Sequence, residues 1–197
     1  MPKIVDHENQ RRIFAEAAIR VIARDGLEGM TMRAVATESG LSYGSLFHYF
    51  DSKDDLLMHA VRHSTSLQAR RVNEYTSRHT GLKALEHLLL DDAVVSDSSR
   101  DVTVVWLAFV YKAALKESFA QMHTELIDDW FERIRQLLDD AQKAGEIKPD
   151  IDTAFEARAL WVYSAGIGQQ GLLNPGLLPT RLQRQLISAY LEKLRPA

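Results

Sequence analysis

Apolar residues recur at helical spacing along almost the whole chain, and the alternation expected of strands is nearly absent. The first amphipathic stretch runs from Glu8 to Arg24, with Ile13, Phe14, Ala17, Ala18, Val21 and Ile22 on one stripe, and Asp25-Gly26 closes it. Thr31 is a good N-cap for a short helix over 32–39 whose apolar side is Met32, Val35 and Ala36. Gly40 is free to take the positive φ that a sharp turn between helices demands. Ser42 then caps a second short helix, Tyr43 to Tyr49, in which Leu46, Phe47 and Phe50 are expected to pack inward. Ser52 with Asp55 three residues on is a capping-box signature. It opens a long helix from Lys53 to about Arg78, carrying Leu56, Leu57, Ala60, Val61, Ser64 and Leu67.

Further breaks divide the remainder. Thr80-Gly81 ends the long helix, Leu82 to Asp91 is short, and Ser96-Asp97-Ser98-Ser99 is a loop with a strong N-cap. Two long amphipathic stretches follow, Asp101 to Lys116 and Ala120 to Ala144. Pro149 and Asp152 introduce an eighth helix over Thr153 to Gln170; Gly171 through Pro175-Gly176 stops it, and Pro179 opens a ninth that reaches Leu194. The pattern predicts an all-α fold of about nine helices, without internal repeats or low-complexity tracts. Within it, a helix, a turn of about three to four residues and a second helix make the helix-turn-helix unit that lays one helix in a DNA major groove.

Composition narrows the class. A chain of 197 residues suits one or two small domains with a real core, and 46% hydrophobic with 26% charged residues is ordinary for a globular protein. No cysteine is present, which excludes disulfides, thiolate metal sites and thiol redox sensing. Residues 1–12 are polar and charged, with no secretory pattern. The longest apolar stretches, 102–115 and 157–167, fall short of the about 20 residues a membrane span needs. The expectation is a soluble, cytoplasmic protein with no membrane partner.

Net charge is −3, which gives no electrostatic hint of nucleic acid. The first 53 residues balance seven Lys/Arg (Lys3, Arg11, Arg12, Arg20, Arg24, Arg33, Lys53) against seven Asp/Glu (Asp6, Glu8, Glu16, Asp25, Glu28, Glu38, Asp51). Attraction to phosphate must therefore come from where the basic groups sit, not from their total.

The run from about Arg11 to Leu57 resembles the DNA-binding domain of the TetR family of bacterial transcriptional regulators. The resemblance is carried by the helix Arg11 to Arg24, then Gly26, Thr31-Met32-Arg33, Ala36 and Ser39-Gly40-Leu41, continuing through Ser42, Gly44, Leu46, His48-Tyr49-Phe50 and Ser52-Lys53. One position departs. Phe47 stands where the family usually has Tyr, so a phenolic hydroxyl that typically reaches a DNA phosphate is missing. The resemblance implies an N-terminal three-helix, homeodomain-like domain over 1–53 and a larger helical ligand-binding and dimerisation domain over 54–197. It implies a ligand-responsive regulator, by family default a repressor released from a palindromic double-stranded operator by a small-molecule inducer, with no catalysis and no cofactor.

Carried onto this sequence, the resemblance marks Thr31, Arg33, Ser42, Tyr43, Gly44, Ser45, His48, Tyr49 and Lys53 as the DNA-binding set. Tyr43 and Ser45 lie near the start of the second helix, where base edges are usually met, and Gly44 lets the backbone lie close. Arg33 matches a position that reaches guanine, where a bidentate pair is worth about 1–3 kcal/mol of discrimination. Lys53 and Thr31 are placed for phosphates. Thr31, Ser42 and Ser52 are also caps of an ordinary helical domain, whatever else they do.

The later helices carry two further expectations. Trp106, Phe109 and Val110 share one stripe, and Met122, His123, Leu126 and Trp130 lie along the next helix; the resemblance makes these the pocket for a small effector. The seventh and eighth helices also look loosely like the choline-sensing BetI subgroup, where aromatic rings attract a quaternary ammonium, although Trp and Phe at helical spacing also serve simply as core. The eighth helix is apolar nearly all round and needs cover on two sides. With the ninth it would build a two-fold homodimer interface through Trp161, Tyr163, Leu182, Leu186 and Tyr190.

A helical small-molecule-binding module or an enzyme without DNA binding is the competing class. No Glu has His three residues on, and no phosphate loop or nucleophile elbow is present. His59 and His63 stand four apart with no third metal ligand evident, and are expected as exposed histidines on a polar face.

Overall fold

The computed structural model describes residues 3–93, 96 and 99–196; Asp97 and Ser98 of the expected loop lie outside the described residues. Among the described residues the chain is all-α, with no strand. Its helices are α1 (Lys3–Gly29), α2 (Met32–Ser39), α3 (Tyr43–Leu46), α4 (Lys53–Thr76), α5 (Gly81–Ala93), α6 (Arg100–Ala113), α7 (Glu117–Lys143), α8 (Thr153–Leu173) and α9 (Thr180–Leu194). Gly26, at φ 73°, kinks α1 where the Asp25-Gly26 pair was expected to end it, and helical backbone continues to Gly29. The caps form as expected: Thr31 Oγ1 accepts from Ala34 N at 3.1 Å, and Asp152 accepts from Ala154 N and Phe155 N. At α4, Ser52 Oγ accepts from Asp55 N, while the Asp55 carboxylate reaches back to Asp51 N, one residue earlier than a standard capping box.

The chain forms two compact units. The first comprises Met1–Leu67 with Arg100–Ala120, so α6 packs among the N-terminal helices, against α1. Its buried side chains include Phe14, Ile22, Val35, Leu46, Phe50, Leu57 and Phe109. Arg20 and Arg24 of α1 converge on Glu38 of α2 at 2.8 and 2.9 Å and tie the two helices. Asp54, at the start of α4, receives Lys112 of α6 at 3.1 Å and Lys116 from the connection between α6 and α7.

The second unit comprises Gln68–Ser99 with Gln121–Ala197. Here α5 packs against α8 and α9 around a core that includes Leu85, Leu88, Leu138, Leu160, Ile187 and Leu191. Gly81, at φ 60°, leaves room for the Glu146 carboxylate, which caps α5 by accepting from Leu82 N at 2.7 Å. At Gly168, α8 passes the Ala93 backbone at a distance that a Cβ would fill in ordinary van der Waals contact. No described helix is long and apolar enough to cross a membrane.

Candidate nucleic-acid interface

The α2–α3 element is two-sided. Val35, Ala36, Leu46 and Phe50 point into the first unit and are buried. Thr31, Arg33, Ser42, Tyr43, Gly44 and His48 face outward, and Ser45 is half-buried between them. Gly40 at φ 71° makes the turn, and its N–H bonds Thr37 O. Ser42 and Ser45 complete each other: Ser45 N donates to Ser42 Oγ at 3.0 Å, and Ser45 Oγ donates to Ser42 O at 2.7 Å. The Arg33 guanidinium lies 5.7 Å over the Tyr43 ring. The Phe47 ring meets Tyr43 edge-on at 5.0 Å.

Three expectations change here. Phe47 is not core: it is 49% exposed, because α3 ends at Leu46 and the next residues wind as tight turns, His48 N to Ser45 O and Tyr49 N to Leu46 O. That winding carries residue 47 outward while Leu46 and Phe50 stay inside. His59 and His63 are not on an exposed face either. Both are half-buried, His59 against the Phe50 ring at 5.3 Å and His63 with Nε2 at 3.6 Å from Glu16. Burial, with Arg11 nearby, holds the His59 imidazole below its ordinary pKa. Among the described residues no cluster of His, Asp and Glu is able to hold a metal.

Tyr49 and Lys53 have partners within the first unit. Tyr49 Oη donates to Gln10 at 2.8 Å, its ring meets His7 and Phe14, and its carbonyl accepts from Arg11. Lys53 Nζ donates to Leu27 O at 2.6 Å, closing the end of α1. Partial burial, then the neighbouring Lys112, lowers the Lys53 pKa.

The expected effector residues divide between the units. In the first, Phe109 is buried between Trp106 and Phe119, at 5.4 and 5.8 Å between ring centroids, and Val110 is half-buried. In the second, Met122 is buried and His123, Leu126 and Trp130 are half-buried; burial lowers the His123 pKa. The second unit also holds a group that the pattern along the chain does not single out. The Asp92 carboxylate is enclosed beside Ser164 Oγ, at 3.2 Å, with Gln68 and the Trp130 indole near it. Burial pushes its pKa up to about 6. The Trp130 indole N–H is itself buried without a hydrogen bond of ordinary geometry. In the sequence Asp91-Asp92 shows only as a polar interruption at the end of the apolar run of α5.

Of the residues expected at a dimer interface, Leu182 is exposed and the other four are half-buried. Trp161 packs on Phe131, and Tyr163 lies against Tyr190 while donating to Leu186 O at 3.2 Å. Outside them, α8 presents Phe155 (68% exposed), Val162 (61%) and Leu173 (58%) along one stripe with Ala165 and Gly166.

Sequence and fold comparisons agree with this geometry. Residues 15–60 match the family described as bacterial regulatory proteins, tetR family, and residues 81–196 match the BetI-type transcriptional repressor C-terminal family. The HTH-type transcriptional regulator PksA of Bacillus subtilis is 30% identical, covering 98% of this chain and 94% of its own. BetI of Burkholderia lata is 34% identical, covering 98% of each. A crystal structure of a transcriptional regulator from Saccharomonospora viridis in complex with choline superposes with a TM-score of 0.86 at 25% identity, over 94% of this chain and 96% of that one. With a helix-turn-helix at the matched N-terminal segment and family matches on both parts, the chain belongs to the TetR family of bacterial transcriptional regulators.

Proposed function

We propose that this regulator is a homodimeric repressor that grips a palindromic double-stranded DNA operator through α2 and α3, and releases it when a small molecule binds the C-terminal helices. The carrying observation is the two-sidedness of α2–α3. Leu46 and Phe50 anchor the element while Arg33, Tyr43, Gly44 and His48 stand clear of the core. Arg33 reads a guanine, Tyr43, Ser45 and His48 meet base edges or phosphates, and Thr31 and Ser42 add hydroxyl contacts to their capping role. Tyr49 and Lys53 fix the reader against α1 and reach DNA only by exchanging Gln10 and Leu27 O for phosphate.

Dimerisation follows from the outer stripe of α8. Phe155, Val162 and Leu173 leave an apolar strip in water that a second copy related by a two-fold axis covers, joined by Leu182 of α9. Paired readers then span half-sites about 34–36 Å apart. The effector is apolar or amphipathic. A choline-like cation is the leading chemistry, because the Saccharomonospora viridis regulator carries choline and the buried Asp92 carboxylate sits beside Trp130 without a basic group among those that hold it. By linkage, operator DNA weakens effector binding by the factor with which effector weakens DNA binding. The protein acts in the cytoplasm and catalyses no reaction.

Selection of sites from a random DNA pool by the purified protein, with the winner's affinity read at two salt concentrations, tests the proposal. The expected outcome is one enriched palindrome bound by two protomers, weakening steeply with salt and released by choline or a related amphiphile. No enrichment from a folded protein at low salt overturns it.

A further inference from the structure

We infer that Phe47 is a specificity-determining residue that recognises the 5-methyl group of a thymine in each operator half-site. The inference rests on the proposal that α2 and α3 read DNA. Phe47 is half-exposed on the side of the reader opposite Leu46 and Phe50, one helical turn beyond Tyr43. Its ring is held there. Tyr43 meets it edge-on at 5.0 Å with planes 85° apart, and the Arg33 guanidinium lies 5.7 Å over the Tyr43 ring. The edge-on contact with Tyr43 limits the rotamers open to Phe47, so its half-exposed ring presents an apolar surface with less freedom left to lose on binding.

The chemistry of the groove then selects the partner. Beside the donors and acceptors of the base edges, the thymine methyl is the one bulky apolar group that the major groove presents. A phenyl ring offers no donor and no acceptor, and set against a phosphate it would displace water without replacing its hydrogen bonds. Gly44, with nothing within 4 Å of the place a Cβ would occupy, leaves the backbone free to approach the groove on this side. The outward Ser42 and His48 beside it are polar, as is the half-buried Ser45. Phe47 is thus the apolar element of a polar reading edge, and the methyl group is the feature of DNA that rewards it.

The test uses the full-length protein and its selected operator, with each thymine replaced in turn by uracil, which removes the methyl and nothing else. For the wild type, uracil at one position per half-site should weaken binding about three- to tenfold, the order expected for one buried methyl. Phe47→Ala should bind the thymine and uracil duplexes alike, and Phe47→Leu should keep part of the preference. Thermal unfolding of both variants checks that an exposed position has been changed without loss of fold. Two results overturn the inference: wild-type binding indifferent to uracil everywhere, or a uracil penalty that survives in Phe47→Ala. A uniform loss in Phe47→Ala across all duplexes, with a changed salt slope, places the ring on the backbone and also overturns it. A wild type that enriches no site overturns the DNA-reading proposal and this inference together, whereas an enriched site insensitive to uracil overturns this inference alone.

Discussion

Asp92 illustrates how much one residue's surroundings matter. Its carboxyl carries a pKa of about 6 against an ordinary 3.8, with burial the leading cause and Ser164 and Gln68 opposing it. The folded protein therefore binds this proton more tightly than the unfolded chain. Asp92 thus costs stability as pH rises through the window from about 4 to 6, by a total on the order of 3 kcal/mol. Asp92→Asn keeps the shape and one acceptor and has no charge to bury. Its stability relative to wild type should be near zero at pH 4 and rise to about 2–3 kcal/mol in the variant's favour by pH 7, read as urea midpoints across that range. Parallel curves would contradict the assignment. Neither Asp92 nor the outward Phe47 was legible in the sequence, for different reasons. Asp91-Asp92 has the look of a polar helix end, and only the packing of α8 across it reveals enclosure. Phe47 lies between two core residues in sequence, and a continued helix would have kept it near them; the tight turns after Leu46 re-aim it.

Local chemistry specified the elements well. Thr31, Ser42, Ser52 and Asp152 all cap where side-chain oxygen and spacing predicted, and Gly26 and Gly40 both take positive φ at the breaks. Ends moved where no strong signal stood: α6 stops at Ala113 rather than Lys116, and α7 begins at Glu117 rather than Ala120. Gly171 was expected to stop α8, yet the helix runs on to Leu173; a Cβ at Gly168 would make only ordinary contact with the Ala93 backbone, and Gly166 faces open space. Gly171 is the tightest of the three. A Cβ there would fall 2.5 Å from Gln183 Nε2, and Gln183 is buried and already donates to Leu178 O at 2.8 Å. Gly171→Ala should therefore push α8 and α9 apart and destabilise the protein by about 1–3 kcal/mol, seen in chemical denaturation. Wild-type stability in that variant would mean that Gln183 has somewhere else to go.

At the scale of the whole molecule, the all-α class and the helix-turn-helix were legible because both are written in short-range spacing. The outer strip on α8 was not. A helix apolar on every side does not reveal which residues the chain covers itself, and only packing separates Leu160 and Ile167, which are buried, from Phe155, Val162 and Leu173, which are not. Val162→Glu places a charge at the centre of that strip. It should leave the fold intact, yield monomers in sedimentation velocity, and lower operator affinity by at least tenfold, since one reading head loses the other. A dimeric Val162→Glu would move the interface elsewhere. The central claim is that the outward edge of α2–α3 reads DNA sequence, and it meets its most direct test in one titration. Wild type and Arg33→Ala are compared on the selected operator, on the same operator with each guanine pair exchanged, and on a scrambled duplex. Wild type should prefer the operator over the scrambled duplex by about 10³-fold or more. Arg33→Ala should lose about 1–3 kcal/mol and its preference at one symmetric guanine position. Equal wild-type affinity for operator and scrambled duplex, or an Arg33→Ala protein with unaltered preference at every position, would contradict it.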